Sequence, residues 1–335
     1  MKTPREMKGG GLPLISLVLL SPLTAELLSG SSPPMEFFFP PSFLLLVGLY
    51  GSGVLVVREL SVKWQKGWPS ILLMGATYGI LEEGLVVKSF FDPSWMDLGI
   101  LGVYGRWIGV NWVWSIWLTI YHGVVSITVP IILFNLMFPR LKHQRLITDV
   151  QLLLPIFVLV AITGVGVFLF PYSPESFHYF LAIFAMFLLS FAAYRFPMGW
   201  PKMKSEAPIL PPKYFFTFGL FFTLFSLVIV YGLPEADMPA PTVIILLCLL
   251  CLGLLLAIIN SAGRRYNEKV LLALAAGILM PFVFLAFIQE ARGIWGMSVV
   301  GVCYLVYFFL LLVRIWREAP EITAKKIPID SGKKL

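Results

Sequence analysis

Long apolar runs, each of about 17 to 25 residues, recur along the whole 335-residue chain and match the length a helix needs to cross a bilayer. Between them lie short connections rich in proline, glycine and charge, such as Ser31-Ser32-Pro33-Pro34 and Pro234-Glu235-Ala236-Asp237. Inside lipid a peptide group has no water to bond, so each run must satisfy its backbone internally as a helix. The runs fall at 12–30, 42–58, 69–91, 109–138, 149–170, 176–195, 214–232, 242–260, 269–290 and 295–316. The expected fold is therefore all-α: a polytopic transmembrane helical bundle of about ten spans. Residues 1–320 form a single membrane domain, with a polar-site half at 1–148, an apolar half at 149–320, and a disordered cytoplasmic tail at 321–335.

Composition closes off the soluble alternative. Hydrophobic residues make up 59% of the chain and charged residues 13%, against about 25% charged in soluble domains. The formal charge of +7 raises the question of nucleic acid, which the placement of the basic residues answers. Of the 25 lysines and arginines, all but Lys88, Arg106 and Arg292 lie in every second connection or at the two ends. That alternation is the positive-inside pattern. It assigns both termini to the cytoplasm, makes the partner the lipid bilayer of a cell membrane, and leaves no basic stripe for nucleic acid. The first run is read as a retained span, because no good cleavage site of small residues follows it.

Ionisable side chains at bilayer depth are expensive, so they mark the first place to look for chemistry. The third run carries Glu82 and Glu83, and the fourth carries His122. At about 1.5 Å of rise per residue, the three lie at similar depths on consecutive antiparallel helices. Gly75 and Gly79 share the face of Glu82 and let a neighbouring helix approach closely. Asn111, Ser115 and Ser126 run in a polar line with His122. Adjacent residues on a helix point about 100° apart, so the two glutamates are expected to have distinct roles.

The remaining polar residues receive blander readings. Lys88 is expected to snorkel to the outer surface, and Glu26 and Glu290 to be solvated carboxylates at the boundary. Trp95, Trp107, Trp112, Trp114 and Trp117 read as an interfacial aromatic belt. The apolar stretch Leu98 to Val103 lies along the interface or re-enters it. Cys248, Cys251 and Cys303 lie inside apolar runs, where thiols behave as small hydrophobes, and Cys248 and Cys251 read as core residues, because no nearby histidine or second pair completes a zinc shell around their C-x-x-C spacing.

The pair Glu82-Glu83 followed by His122 on the next span resembles the CAAX-protease and bacteriocin-processing family of intramembrane proteases. That family carries EExxxR, then FxxxH, then an HxxxN-like motif on successive spans. In this chain Lys88 stands one place past the arginine, Leu118 takes the aromatic position, and His178 with Ala182 is the later candidate. The resemblance implies a metal-dependent intramembrane hydrolase in which the glutamates and histidine surround an activated water. Glu82, Glu83 and His122 are then the catalytic residues, with Glu83 and His122 as ligands of a zinc-like divalent ion. Asn111, Arg106 and Tyr78 are the candidate substrate-binding or oxyanion-stabilising groups. Two other classes compete: a proton- or ion-coupled transporter built from five-plus-five inverted halves, and a non-catalytic membrane scaffold in which the polar cluster serves only packing.

Overall fold

The computed structural model describes residues 11–197, 210–261 and 268–324. The basic segment Met1 to Lys8, the loop lysines Lys202 and Lys204, the pair Arg264 and Arg265, and the tail beyond 324 lie outside them.

Within the described residues the helical segments join end to end into ten rods, one at each apolar run. They are α1 (Leu12–Leu27), α2 (Pro40–Lys63), α3 (68–86), α4 (Trp112–Met137), α5 (Asp149–Leu169), α6 (Ser176–Arg195), α7 (Pro212–Glu235), α8 (Ala240–Ser261), α9 (Glu268–Ala291) and α10 (Met297–Ala324). Seven are long and apolar enough to cross a membrane, while α1 and the apolar part of α8 are shorter. α3 stands apart because its last turn carries the two glutamates. α10 runs through 321–324, residues that the sequence assigned to the tail.

Local signals set several ends. Pro69 opens α3 behind Gly67, where a missing N–H costs nothing. Thr148 and Gln151 exchange side-chain and backbone bonds in a capping box at the start of α5, which satisfies two otherwise orphaned donors. α4 begins at Trp112 and not near residue 109, because residues 106–111 form a small hairpin. Its strands β1 (Arg106–Trp107) and β2 (Val110–Asn111) pair antiparallel around Ile108 and Gly109, both at positive φ.

Tertiary bonds sort the rod ends onto two sides. On one side Arg58 of α2 donates to the carbonyls of Leu141 and Gln144 just past α4, each at 2.6 Å. There too Lys63 meets Asp149 at 2.8 Å, Lys66 reaches Phe196 O at 2.7 Å, and Arg314 of α10 donates to Met137 O at 2.6 Å. This side gathers the basic connections. Arg58 and Glu59 are not loop charges but a buried ion pair, 2% and 0% exposed. Glu59 also accepts the backbone N–H of Leu146 at 3.1 Å and of Ile147 at 3.4 Å, pinning the α4–α5 connection.

On the other side Lys88 is the surprise. It is 1% exposed, sits in the left-handed region at φ 65°, and donates to Gly166 O at 3.2 Å and Phe170 O at 2.5 Å. It does not snorkel; its ammonium caps the end of α5, where bare carbonyls and the helix dipole favour a cation. Glu290 stays open to the surface as expected, while also accepting from Ser298 N at 2.9 Å at the head of α10. The apolar stretch from Leu98 buries only Leu98, Leu101 and Gly102, with Val103 84% exposed. It forms a single short turn, Gly99–Gly102.

α4 is the central rod, with 78% of its apolar window buried, against 17% for α6. Trp114 and Trp117 belong to this interior and not to a belt, whereas Trp107 remains exposed. Cys248 and Cys303 face outward from the bundle and Cys251 is half-buried, all as free thiols, so none is a core residue. The core of the first half closes where α3 and α4 touch backbone to backbone: a Cβ at Gly75 would come within 2.9 Å of Gly123 Cα. Such contact is how helices gain packing in lipid, where apolar side chains gain little by leaving their surroundings.

Candidate metal centre

The close approach of α3 and α4 puts His122 against Gly79, where a Cβ would meet the histidine Cβ at 2.8 Å. His122 is 2% exposed. Its Nε2 lies 3.0 Å from Glu83 Oε1 and its Nδ1 lies 3.4 Å from Glu82 Oε2. The adjacent glutamates therefore grip opposite nitrogens of one imidazole. Regular α-geometry sets neighbouring side chains about 100° apart, and both can reach one ring because Leu81–Val86 is wound as π-helix, closed by a bond from Val87 N to Glu82 O at 2.9 Å. His122 itself opens a second π-helical segment, His122–Thr128. Single π-turns inside α-helices occur frequently at functional sites.

Each member has a support. Ser126 Oγ lies 2.9 Å from His122 Nδ1. Ser89 donates a short bond to Glu83 Oε2 and is itself bonded by Trp114 Nε1 at 3.0 Å. Around the imidazole, Glu82 Oε2 and the Tyr78 hydroxyl are buried without a hydrogen-bond partner, Glu82 Oε2 having only its 3.4 Å approach to His122 Nδ1. The tyrosine ring is 6.0 Å from His122. Tyr121 stands edge-on to the imidazole at 5.4 Å and donates to Ala25 O at 2.7 Å.

Two residues join the site that the sequence left outside it. Glu26, read as a solvated boundary acid, accepts short bonding from the Tyr50 hydroxyl and a bond from Ser32 Oγ at 2.8 Å. The Tyr50 ring is 1% exposed and 6.1 Å from the imidazole. Both lie in π-helical segments of their own, Leu23–Leu27 and Val47–Gly51, so four widened turns from α1, α2, α3 and α4 converge here. The sequence held one signal of this, an acid near the end of an apolar run.

Asn111 and Arg106 are placed differently from the central trio. Asn111, fully buried, accepts from Trp114 N at 3.0 Å as the cap of α4 and donates to Leu101 O. Arg106 donates to Gly102 O and Phe91 O, each at 2.7 Å. Both hold the outer turn and touch the site only through it. His178 is bonded to Ile108 O at 3.0 Å and packs on Phe91, outside the cluster.

One ligand atom from each of Glu82, Glu83 and His122 can be chosen so that all lie within 4.8 Å of one another. Two carboxylate oxygens and an imidazole nitrogen are a donor set suited to zinc and its neighbours. The unpartnered Glu82 oxygen in a buried setting is the atom such an ion would satisfy, so the residues present fit the group. No curated protein and no solved structure matches the chain. A family model does, over residues 15–331, and the chain accordingly belongs to the family it describes, an uncharacterized membrane protein family.

Proposed function

We propose that the chain is a ten-span cell-membrane protein with both termini in the cytoplasm, whose Glu82, Glu83 and His122 hold a divalent ion and hydrolyse a bond within the membrane, in the manner of the CAAX-protease and bacteriocin-processing family it resembles. The observation that carries this reading is the buried trio itself. Glu82 and Glu83 flank one imidazole, and a third acid, Glu26, stands behind the Tyr50 ring that packs on it, its oxygens bonded by Ser32 and Tyr50. Lys88 and Arg106, the nearest basic residues in sequence, are engaged with backbone carbonyls. Burying that many acids without a cation is costly, and apolar residues would pack there at lower cost.

The roles divide by what each side chain is free to do. Glu83, fixed through Ser89, and His122, fixed through Ser126, are the groups that would hold the ion. A bound divalent ion would supply a water acidic enough to attack at neutral pH. Glu82, whose Oε2 makes no hydrogen bond, would be the general base. The Tyr78 hydroxyl, one turn before Glu82, would donate to the oxygen on which negative charge develops. Asn111 and Arg106 then keep the outer turn in place and do not contact the reacting atoms.

Purified full-length protein should carry one zinc-like ion per chain and cleave a labelled transmembrane peptide, and Glu83→Gln should lose both while keeping its thermal unfolding. Absence of metal from the wild type, with no loss of cleavage in the variant, overturns the reading. Reporter fusions at each end test the orientation.

A further inference from the structure

We propose that Glu26 is the entry acid of this centre, the carboxylate through which a divalent cation passes from the loop 28–33 to Glu82, Glu83 and His122. The inference rests on the metal-centre reading above and goes beyond it in naming a side of access and a residue outside the trio.

Exposure grades from the loop toward His122, with the Glu83 side chain 11% exposed beside it. Ser31 is exposed, Ser29, Ser32 and Glu26 are half-buried, and Tyr50, Glu82 and His122 are buried. Bonds follow the same line, from Ser29 to Ser31 at 3.1 Å, then Ser32 to Glu26 and Tyr50 to Glu26, with the Tyr50 ring against both Tyr78 and His122. Two neighbouring directions are packed. Behind Glu83 stand Ser89, Trp114 and Asn111, all buried, beneath Leu98 and Leu101. The α3–α4 seam is closed by Gly75 against Gly123. A lone acid at a boundary would be no site, but here two buried unpartnered oxygens, of Glu82 and Tyr78, lie behind it. Ser32 and Tyr50 together hold both Glu26 oxygens, so the side chain is set between the loop and the centre. Tyr50 acts as a positioning residue.

A negative charge at the mouth of a low-dielectric cleft raises the local cation concentration and the association rate by about 10- to 1,000-fold. The test is stopped-flow binding of Co²⁺ alone to the full-length protein in nanodiscs, followed by the visible absorption of the bound ion. Glu26→Gln should slow association at least about tenfold and leave the final stoichiometry unchanged. Glu26→Asp, which keeps the charge, should restore a rate near that of the wild type. A wild-type rate in Glu26→Gln overturns the entry role while leaving the centre in place. Equal slowing in both variants also overturns it, since packing and not charge would then govern. No Co²⁺ bound by the wild type removes the centre and the entry role together, whereas Glu83→Gln failing to bind while Glu26→Gln binds slowly supports both.

Discussion

Glu83 Oε1 lies 3.0 Å from His122 Nε2, and the other oxygen of the same carboxylate is held by Ser89. That second bond aims the first. Removing an outer-shell partner of this kind typically costs 10–100-fold in metal affinity. Ser89→Ala is therefore expected to weaken Co²⁺ or Zn²⁺ binding by about that factor with little change in unfolding temperature, as measured by titration calorimetry. Unchanged affinity would remove Ser89 from the support of the site.

Gly79 sets the distance between α3 and His122, since a Cβ there would meet the histidine at 2.8 Å. Gly79→Ala should force the helices apart at a cost of about 1–3 kcal/mol, and the glutamates should lose the imidazole with it. Thermal unfolding and metal stoichiometry, measured on the same preparation, should fall together.

On the opposite side of the bundle, Glu59 is fully buried between Arg58 and two backbone amides. Glu59→Leu leaves a buried guanidinium unpaired and should destabilise by about 3–5 kcal/mol. The double change Arg58→Met with Glu59→Leu should recover only part of that loss, because the carbonyls of Leu141 and Gln144 and the amides of Leu146 and Ile147 lose their partners too. Chemical unfolding of the three proteins in detergent decides this.

Lys88 closes α5 by donating to Gly166 and Phe170. Lys88→Met keeps the bulk and removes the donor, which should cost about 1–3 kcal/mol for the buried carbonyls left bare. Hydrogen exchange should rise at the last turn of α5 before it rises elsewhere. A surface lysine would show neither effect.

Cys248 and Cys303 are exposed on helices of apolar sequence. In membranes they should react with a lipid-soluble maleimide and not with a charged, impermeant one. Detergent should leave that preference unchanged, and denaturation should abolish it.

The apolar runs by themselves determined where helices form, because in lipid a chain of that composition has no other way to satisfy its backbone, and a rod stands at every run. The alternation of Lys and Arg likewise foretold which connections share a side, since charge placement is local to each loop. Glu82, Glu83 and His122 were legible as a cluster because buried charge is rare enough to be conspicuous in sequence. Tertiary structure alone decided the rest. Whether an acid at the end of a run meets water or a tyrosine depends on which helix packs beside it, so Glu26 read as solvated and proved to be held by Tyr50. Lys88 read as a snorkelling side chain until the end of α5, far away in sequence, supplied its carbonyls. The π-turns at Glu26, Tyr50, Glu82 and His122 have no sequence signature comparable to hydrophobic periodicity. Only the packed bundle makes a widened turn worth its weaker hydrogen bonds, by turning two adjacent glutamates onto one imidazole.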